Sequence, residues 1–65
     1  MDIETKEAVL KLAGYELDYV GTTDGALVWV VKSTQTPSQL GWGITKQGAI
    51  AVGFNAFLTR QNDAS

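Results

Sequence analysis

Residues 40–54 sort their side chains by size when the stretch is read with the two-residue period of a β-strand. The large members are Leu40, Trp42, Ile44, Ile50, Val52 and Phe54. Away from residues 45–48, the positions on the other side carry nothing larger than a methyl group, and they are Gly41, Gly43, Ala49, Ala51 and Gly53. Glycine weakens a strand and often marks the close approach of another backbone or a ligand. The pattern therefore predicts a smooth sheet face that something contacts closely.

A β-hairpin is predicted ahead of this stretch, with residues 23–25 (Thr-Asp-Gly) as its loop. A three-residue loop that ends in Gly fits a type I turn followed by a left-handed residue. This loop sets a register that places Tyr19 across from Trp29 and Glu16 across from Lys32. Opposite charges on paired strand residues are favourable, so the second pair supports the register.

A second hairpin is predicted with the same kind of loop at residues 46–48 (Lys-Gln-Gly). Its register pairs Gly43 with Ala51 and Gly41 with Gly53. The small residues then lie on one face across both strands, and the large ones lie on the other. Residues 36–39 (Thr-Pro-Ser-Gln) also match a helix start. A helix continuing through two glycines would be destabilised, so the strand is preferred.

An amphipathic helix is predicted over residues 3–13, before the first hairpin. Asp2 can cap its N-terminus, and Gly14 stands where a left-handed residue would end it. Its apolar stripe is short and includes Val9, Leu12 and Ala13. A helix of this length is marginal alone and must pack against the sheet.

These elements predict one α+β domain over residues 1–65, with the N-terminal helix packed on a four-stranded antiparallel meander. A small SH3-like β-barrel with a helix is the alternative. Trp29 and Trp42 are both expected in the core, on the same face of the sheet.

The composition excludes several kinds of site. The 65 residues contain no Cys and no His, so a thiol nucleophile, an imidazole base and the usual zinc ligands are all missing. The Gly41-Trp42-Gly43 stretch begins like a phosphate-binding loop, but Lys46 stands where the third glycine should be. We therefore expect no cofactor, no metal and no enzymatic activity.

Charge is sparse and unevenly placed. Residues 1–24 carry −4 and residues 25–65 carry +2, which gives the net charge of −2. Between Ser33 and Thr59 the only charged side chain is Lys46. Such a long stretch with one charge is either buried or covered by another molecule. The sequence pI of about 4.7 disfavours nucleic acid as a partner.

The function predicted from these features is that of a non-enzymatic protein-binding module or small inhibitor, which acts through an apolar, low-charge surface. A homodimer or other homo-oligomer is expected. The predicted protein interface is the smooth face, formed by Gly41, Gly43, Ala49, Ala51 and Gly53. The alternative is a nucleic-acid-binding regulator that uses Lys32, Lys46 and Arg60.

No contact with a membrane is expected. The longest uncharged apolar run, residues 26–31, is far below the roughly 20 residues that span a bilayer. The acidic N-terminal stretch lacks the basic and then apolar layout of a signal peptide. Together with the absence of Cys, these features predict a cytoplasmic protein.

Overall fold

The computed structural model describes residues 2–63 and contains two helices and three strands. In chain order the elements are α1 (Ile3–Leu12), β1 (Tyr15–Gly21), β2 (Leu27–Ser33), β3 (Gln39–Gly43) and α2 (Lys46–Asp63). The strands form one antiparallel sheet in the order β1-β2-β3. The predicted α+β class is confirmed. The fourth strand is wrong because its residues lie in α2, and the sheet remains open where the alternative required a closed barrel.

The ends of α1 follow from local chemistry. The Asp2 carboxylate accepts a hydrogen bond from the Thr5 backbone N–H at 2.8 Å, which caps the N-terminus. Gly14, directly after the helix, has φ of +96°, a conformation that an L side chain rarely adopts. The chain therefore leaves the helix sharply, and β1 begins one residue later.

The β1–β2 hairpin has the predicted register. Tyr19 pairs with Trp29, and Glu16 pairs with Lys32. The Thr22 N–H donates to the Ala26 carbonyl at 2.7 Å, and Gly25 has φ of +86°. This is the geometry expected of a type I turn followed by a left-handed glycine.

The predicted second hairpin is replaced by a helix that begins where its loop was expected. The Thr45 hydroxyl accepts from the Gly48 N–H at 3.0 Å, and the Thr45 carbonyl accepts from the Ala49 N–H at 3.0 Å. Thr45 is therefore the N-terminal cap of α2. The side chains that α2 turns inward have helical spacing, and they belong to Ala49, Ile50, Phe54 and Phe57.

Glycines allow α2 to lie unusually close to the sheet. A Cβ added to Gly43 would be 2.6 Å from the Ala49 backbone nitrogen. A Cβ added to Gly53 would be 2.8 Å from Cγ2 of Val31. The close approach that the small residues predicted thus occurs inside the chain, between α2 and the β2–β3 pair.

A β-bulge in β3 decides which of its large residues reaches the core. Val31 pairs with Gly41 and Lys32 pairs with Gln39, so Leu40 is an extra residue between them. Leu40 is buried in the core cluster, whereas Trp42 is 60% exposed. The prediction of Trp42 in the core is therefore wrong, because simple alternation does not hold across the bulge.

Candidate protein-contact surface

The five residues predicted to form a protein interface lie along the contact between β3 and α2. Gly41 and Gly43 are half-buried on β3, under the helix. Ala49 and Gly53 are buried on α2, and Ala51 is half-buried on the same helix. They do not form one sheet face, since Ala49, Ala51 and Gly53 are not in a strand. Their assignment to a protein interface stays a prediction.

An exposed apolar surface lies at the turn end of the β1–β2 hairpin, on the side of the sheet that carries the helices. We call it the aromatic shelf, and it consists of Tyr19, Leu27 and Trp29. The Tyr19 and Trp29 ring centroids are 4.8 Å apart, with the planes inclined by 37°. Tyr19 is 51% exposed and Leu27 is 55% exposed. Side chains of this size are normally covered when they lie together on one face of a sheet.

The shelf is open because the hairpin extends past its neighbours. The pairing of β3 with β2 covers Trp29 to Lys32 and stops short of Leu27. The buried core cluster lies around Val31 and Leu10, and Trp29, which is half-buried, packs against it. Tyr19 and Leu27, near the turn of the hairpin, therefore remain exposed.

One cation lies at the rim of the shelf. The Lys46 Nζ is 6.0 Å from the Trp29 ring centroid, which is within the range of a cation–π contact. The same Nζ is 3.6 Å from a carboxylate oxygen of Glu7. Lys46 therefore links α2 and α1 beside the shelf, and its charge is already balanced.

The opposite face of the sheet carries a small ionic network. The Lys32 Nζ is 3.0 Å from Asp18 Oδ2 and 3.7 Å from Glu16 Oε1. Asp18 Oδ1 also accepts from the Tyr19 backbone N–H at 2.9 Å. The hydrogen bond from Lys32 and then that from Tyr19 hold the pKa of Asp18 below its ordinary value. In turn, the hydrogen bond with Asp18 and the negative charge of that carboxylate raise the pKa of Lys32 above its ordinary value.

The network predicts a specific loss of stability in acid. Because the pKa of Asp18 is lower in the folded state, its ionised form adds stability above the unfolded pKa of about 3.9. That contribution is lost as the pH falls through the folded-state pKa. In thermal melts followed by circular dichroism from pH 7 to pH 2, Asp18→Asn should lose less melting temperature than the parent protein. Parallel curves for the two proteins would contradict this role for Asp18.

Residues 2–63 contain no cluster of three or more acidic, Cys or His side chains that could hold a metal, and no charged or polar residue described there is buried. A pocket between α1 and β1 has a cavity volume of only about 10 Å³, roughly the room for one water molecule. Neither helix in this part of the chain has the length and hydropathy needed to cross a bilayer.

No protein-family model matches the chain, and no curated protein or solved structure is significantly similar to it. The arguments for function therefore rest on the surface of the protein itself.

The shelf residues were expected in the core, on the large-residue face of the sheet. Their shared face followed from the hairpin register, which the sequence predicted. Trp29 is half-buried and packs against the core cluster, close to that expectation. The exposure of Tyr19 and Leu27 did not follow from the sequence, because it depends on how far the hairpin extends past β3. The signal that indicates this exposure is the difference in strand length, since β3 has five residues and β1 and β2 have seven each.

Proposed function

We propose that this protein is a non-enzymatic protein-binding module, and that it binds its partner through the aromatic shelf. The observation that carries the proposal is the exposure of Tyr19 and Leu27 beside Trp29 on the antiparallel β1–β2 hairpin. Tyrosine and tryptophan are enriched among the residues that dominate binding energy at protein interfaces. A small module of this kind acts as an inhibitor when it occupies a surface that its partner needs.

The chemistry of the shelf favours an apolar contact. Two aromatic rings and a leucine supply the surface, and the nearby Lys46 is paired with Glu7. The fitting partner is a protein that places an aliphatic or aromatic side chain on the rings. Raising the salt concentration should therefore weaken binding little, because burial of apolar surface is not screened.

The cations invoked for nucleic-acid binding do not favour that alternative. Lys32 is held by Asp18 and Glu16, and Lys46 is held by Glu7. Arg60 is fourteen residues after Lys46 on α2, which places it about 21 Å farther along the helix. Phosphate binding would also weaken steeply with salt.

The proposal is tested by two matched variants, Leu27→Ser on the shelf and Leu12→Ser on α1. Both remove an exposed leucine, which is 55% exposed at position 27 and 90% exposed at position 12. The parent protein and the two variants are each used to capture binding proteins from an extract of the native host. We expect the partner captured by the parent to be captured also by Leu12→Ser but not by Leu27→Ser. Capture should persist in high salt and after nuclease treatment.

Circular dichroism melts of both variants serve as the folding control. Equal capture by all three proteins would place the contact outside the shelf. Capture that disappears with nuclease would favour the nucleic-acid alternative. Homo-oligomerisation and a cytoplasmic location remain part of the proposal, and light scattering on a size-exclusion peak tests the first.

A further inference from the structure

The middle strand, β2, is apolar on both faces of the sheet. Residues 27–31 are Leu, Val, Trp, Val and Val, an unbroken apolar run in a strand that ends in Lys and Ser. An antiparallel strand with one face in water normally alternates apolar and polar residues, and a continuous apolar run is typical of a strand covered on both faces. The sequence of β2 therefore indicates two covering layers.

The helices among residues 2–63 supply only one of these layers. A Cβ added to Gly43 would contact Ala49 of α2. On the α1 side, Leu10 belongs to the same buried cluster as Val31. Gly43 and Val31 lie on the same face, because Gly43 pairs with Trp29, two positions before Val31. Both helices therefore lie on the Val31 face, and no helix or strand of residues 2–63 lies on the opposite one.

We call the uncovered side of the sheet the outer face, and its apolar half consists of Val20, Val28, Val30 and Trp42. Val28 and Val30 belong to the middle strand and are buried between the side chains of the flanking strands. Trp42, which pairs with Val30, is 60% exposed. A tryptophan with this exposure offers a large gain in apolar burial to any surface that covers it.

The charges of the outer face allow a second copy of the chain to cover it. They are confined to the other half of the face, where the Lys32 Nζ is 3.0 Å from Asp18 Oδ2 and 3.7 Å from Glu16 Oε1. When two identical faces stack about a two-fold axis through their apolar halves, the two ionic networks lie at opposite ends. The contact is then self-complementary, and no like charges meet in it.

The exposed area fits a contact of this size. The chain exposes 4409 Å² at a mass of 7.0 kDa, whereas a monomeric protein of that mass typically exposes about 4,000 Å². The outer face of three strands measures about 14 by 23 Å, or roughly 300 Å², which is close to the difference. Two copies would bury about 800 Å² together, the size of a weak, transient interface. The dimer is therefore expected to be weak.

We propose that two copies of this chain stack through their outer faces as a weak homodimer. The two sheets pack face to face about 10 Å apart, as in a β-sandwich, and the helices lie on the outside. Trp42 of each copy packs on the apolar half of the other. This inference rests on the homo-oligomerisation included in the proposed function and names its surface, but it does not involve the aromatic shelf.

The test compares Trp42→Lys with Tyr19→Lys by sedimentation equilibrium at protein concentrations from about 10 μM to 1 mM. Both substitutions replace an exposed aromatic side chain of the sheet with lysine, on the outer face and on the shelf respectively. We expect the parent and Tyr19→Lys to approach the mass of two chains at the highest concentration. Trp42→Lys should keep the mass of one chain, because its dissociation constant rises at least tenfold. Circular dichroism melts serve as the folding control.

The two indole N–H signals of the ¹⁵N-labelled parent give a measurement that does not depend on the folding of a variant. Trp42 lies on the outer face, and Trp29 lies on the face that carries the helices. Dilution from about 1 mM to 10 μM should move the Trp42 signal along a saturable curve and leave the Trp29 signal in place.

Three outcomes would overturn the inference. They are a parent with the mass of one chain at the highest concentration, a folded Trp42→Lys that dimerises as the parent does, and a dilution shift at Trp29 without one at Trp42. The last would place self-association on the shelf. Capture of the partner is a separate readout, since Trp42→Lys should capture it as the parent does and Leu27→Ser should not.

Discussion

Gly43→Ala is expected to destabilise the protein by about 3 kcal/mol, the upper part of the range for overpacking a tight contact. The new Cβ would lie 2.6 Å from the Ala49 backbone nitrogen and 2.9 Å from the Gly48 carbonyl carbon. Both are backbone atoms of α2, so no side-chain rotation relieves the overlap, and the helix must move off β3. A domain of this size has a total stability of only about 3–10 kcal/mol. Urea unfolding followed by circular dichroism measures the loss.

Gly21→Ala is the matched control, because it adds the same methyl group to another strand glycine. A Cβ there would approach no atom closer than 3.9 Å. Its unfolding midpoint should remain close to that of the parent. Similar midpoints for Gly43→Ala and Gly21→Ala would show that α2 does not rest on β3 as closely as described.

Ile50→Ala is expected to cost about 2–5 kcal/mol, as in other truncations of fully buried aliphatic side chains. Ile50 is 1% exposed and belongs to the core cluster that joins both helices to the sheet. The truncation leaves a cavity between these layers in addition to the lost apolar burial. With a loss of about 2 kcal/mol in unfolding free energy, the variant would melt well below the parent. With a loss of about 5 kcal/mol, it would be unfolded at room temperature.

Ile44→Ala removes the same atoms from a side chain that is 79% exposed. Its cost should be below about 1 kcal/mol, since little apolar surface returns to water. The two variants test the assignment of residues 46–63 to a helix. In the predicted meander both isoleucines lay on the same large-residue face, so equal costs would argue for that arrangement over the observed one.

The hairpin was predictable because its information is local. The turn at residues 23–25 requires a left-handed glycine. Its geometry then determines every cross-strand residue pair as far as Glu16 and Lys32. The N-terminal helix was predictable for the same reason, through the Asp2 cap and the glycine at its end.

The secondary structure after residue 45 could not be predicted from hydrophobic periodicity alone. Large and small residues alternate from Ala49 to Phe54, which matches a strand. Three of them, Ala49, Ile50 and Phe54, also have the spacing of an inward helical stripe. Packing decided between the two periods. A helix with small residues at Gly48, Ala49 and Gly53 fits against the glycines of β3, and this match is tertiary information.

The aromatic shelf also combines a feature that local sequence predicts with one that depends on tertiary packing. The turn register placed Tyr19 and Trp29 on one face, and the structure confirms that pairing. Whether that face is covered depends on the relative lengths of the strands and on the position of α2.

The order of the elements has a consequence for how the chain reaches its native state. The contacts of α1 with β1, of β1 with β2, of β2 with β3 and of β3 with α2 all join consecutive elements. The packing of α1 against α2 is the main exception, and it joins the two ends of the described chain. Chains whose contacts are mostly local fold quickly, because little loop entropy is lost before each contact forms. Refolding should therefore be fast, and docking of the two helices should be its last step, with Ile50→Ala accelerating unfolding more than it slows folding.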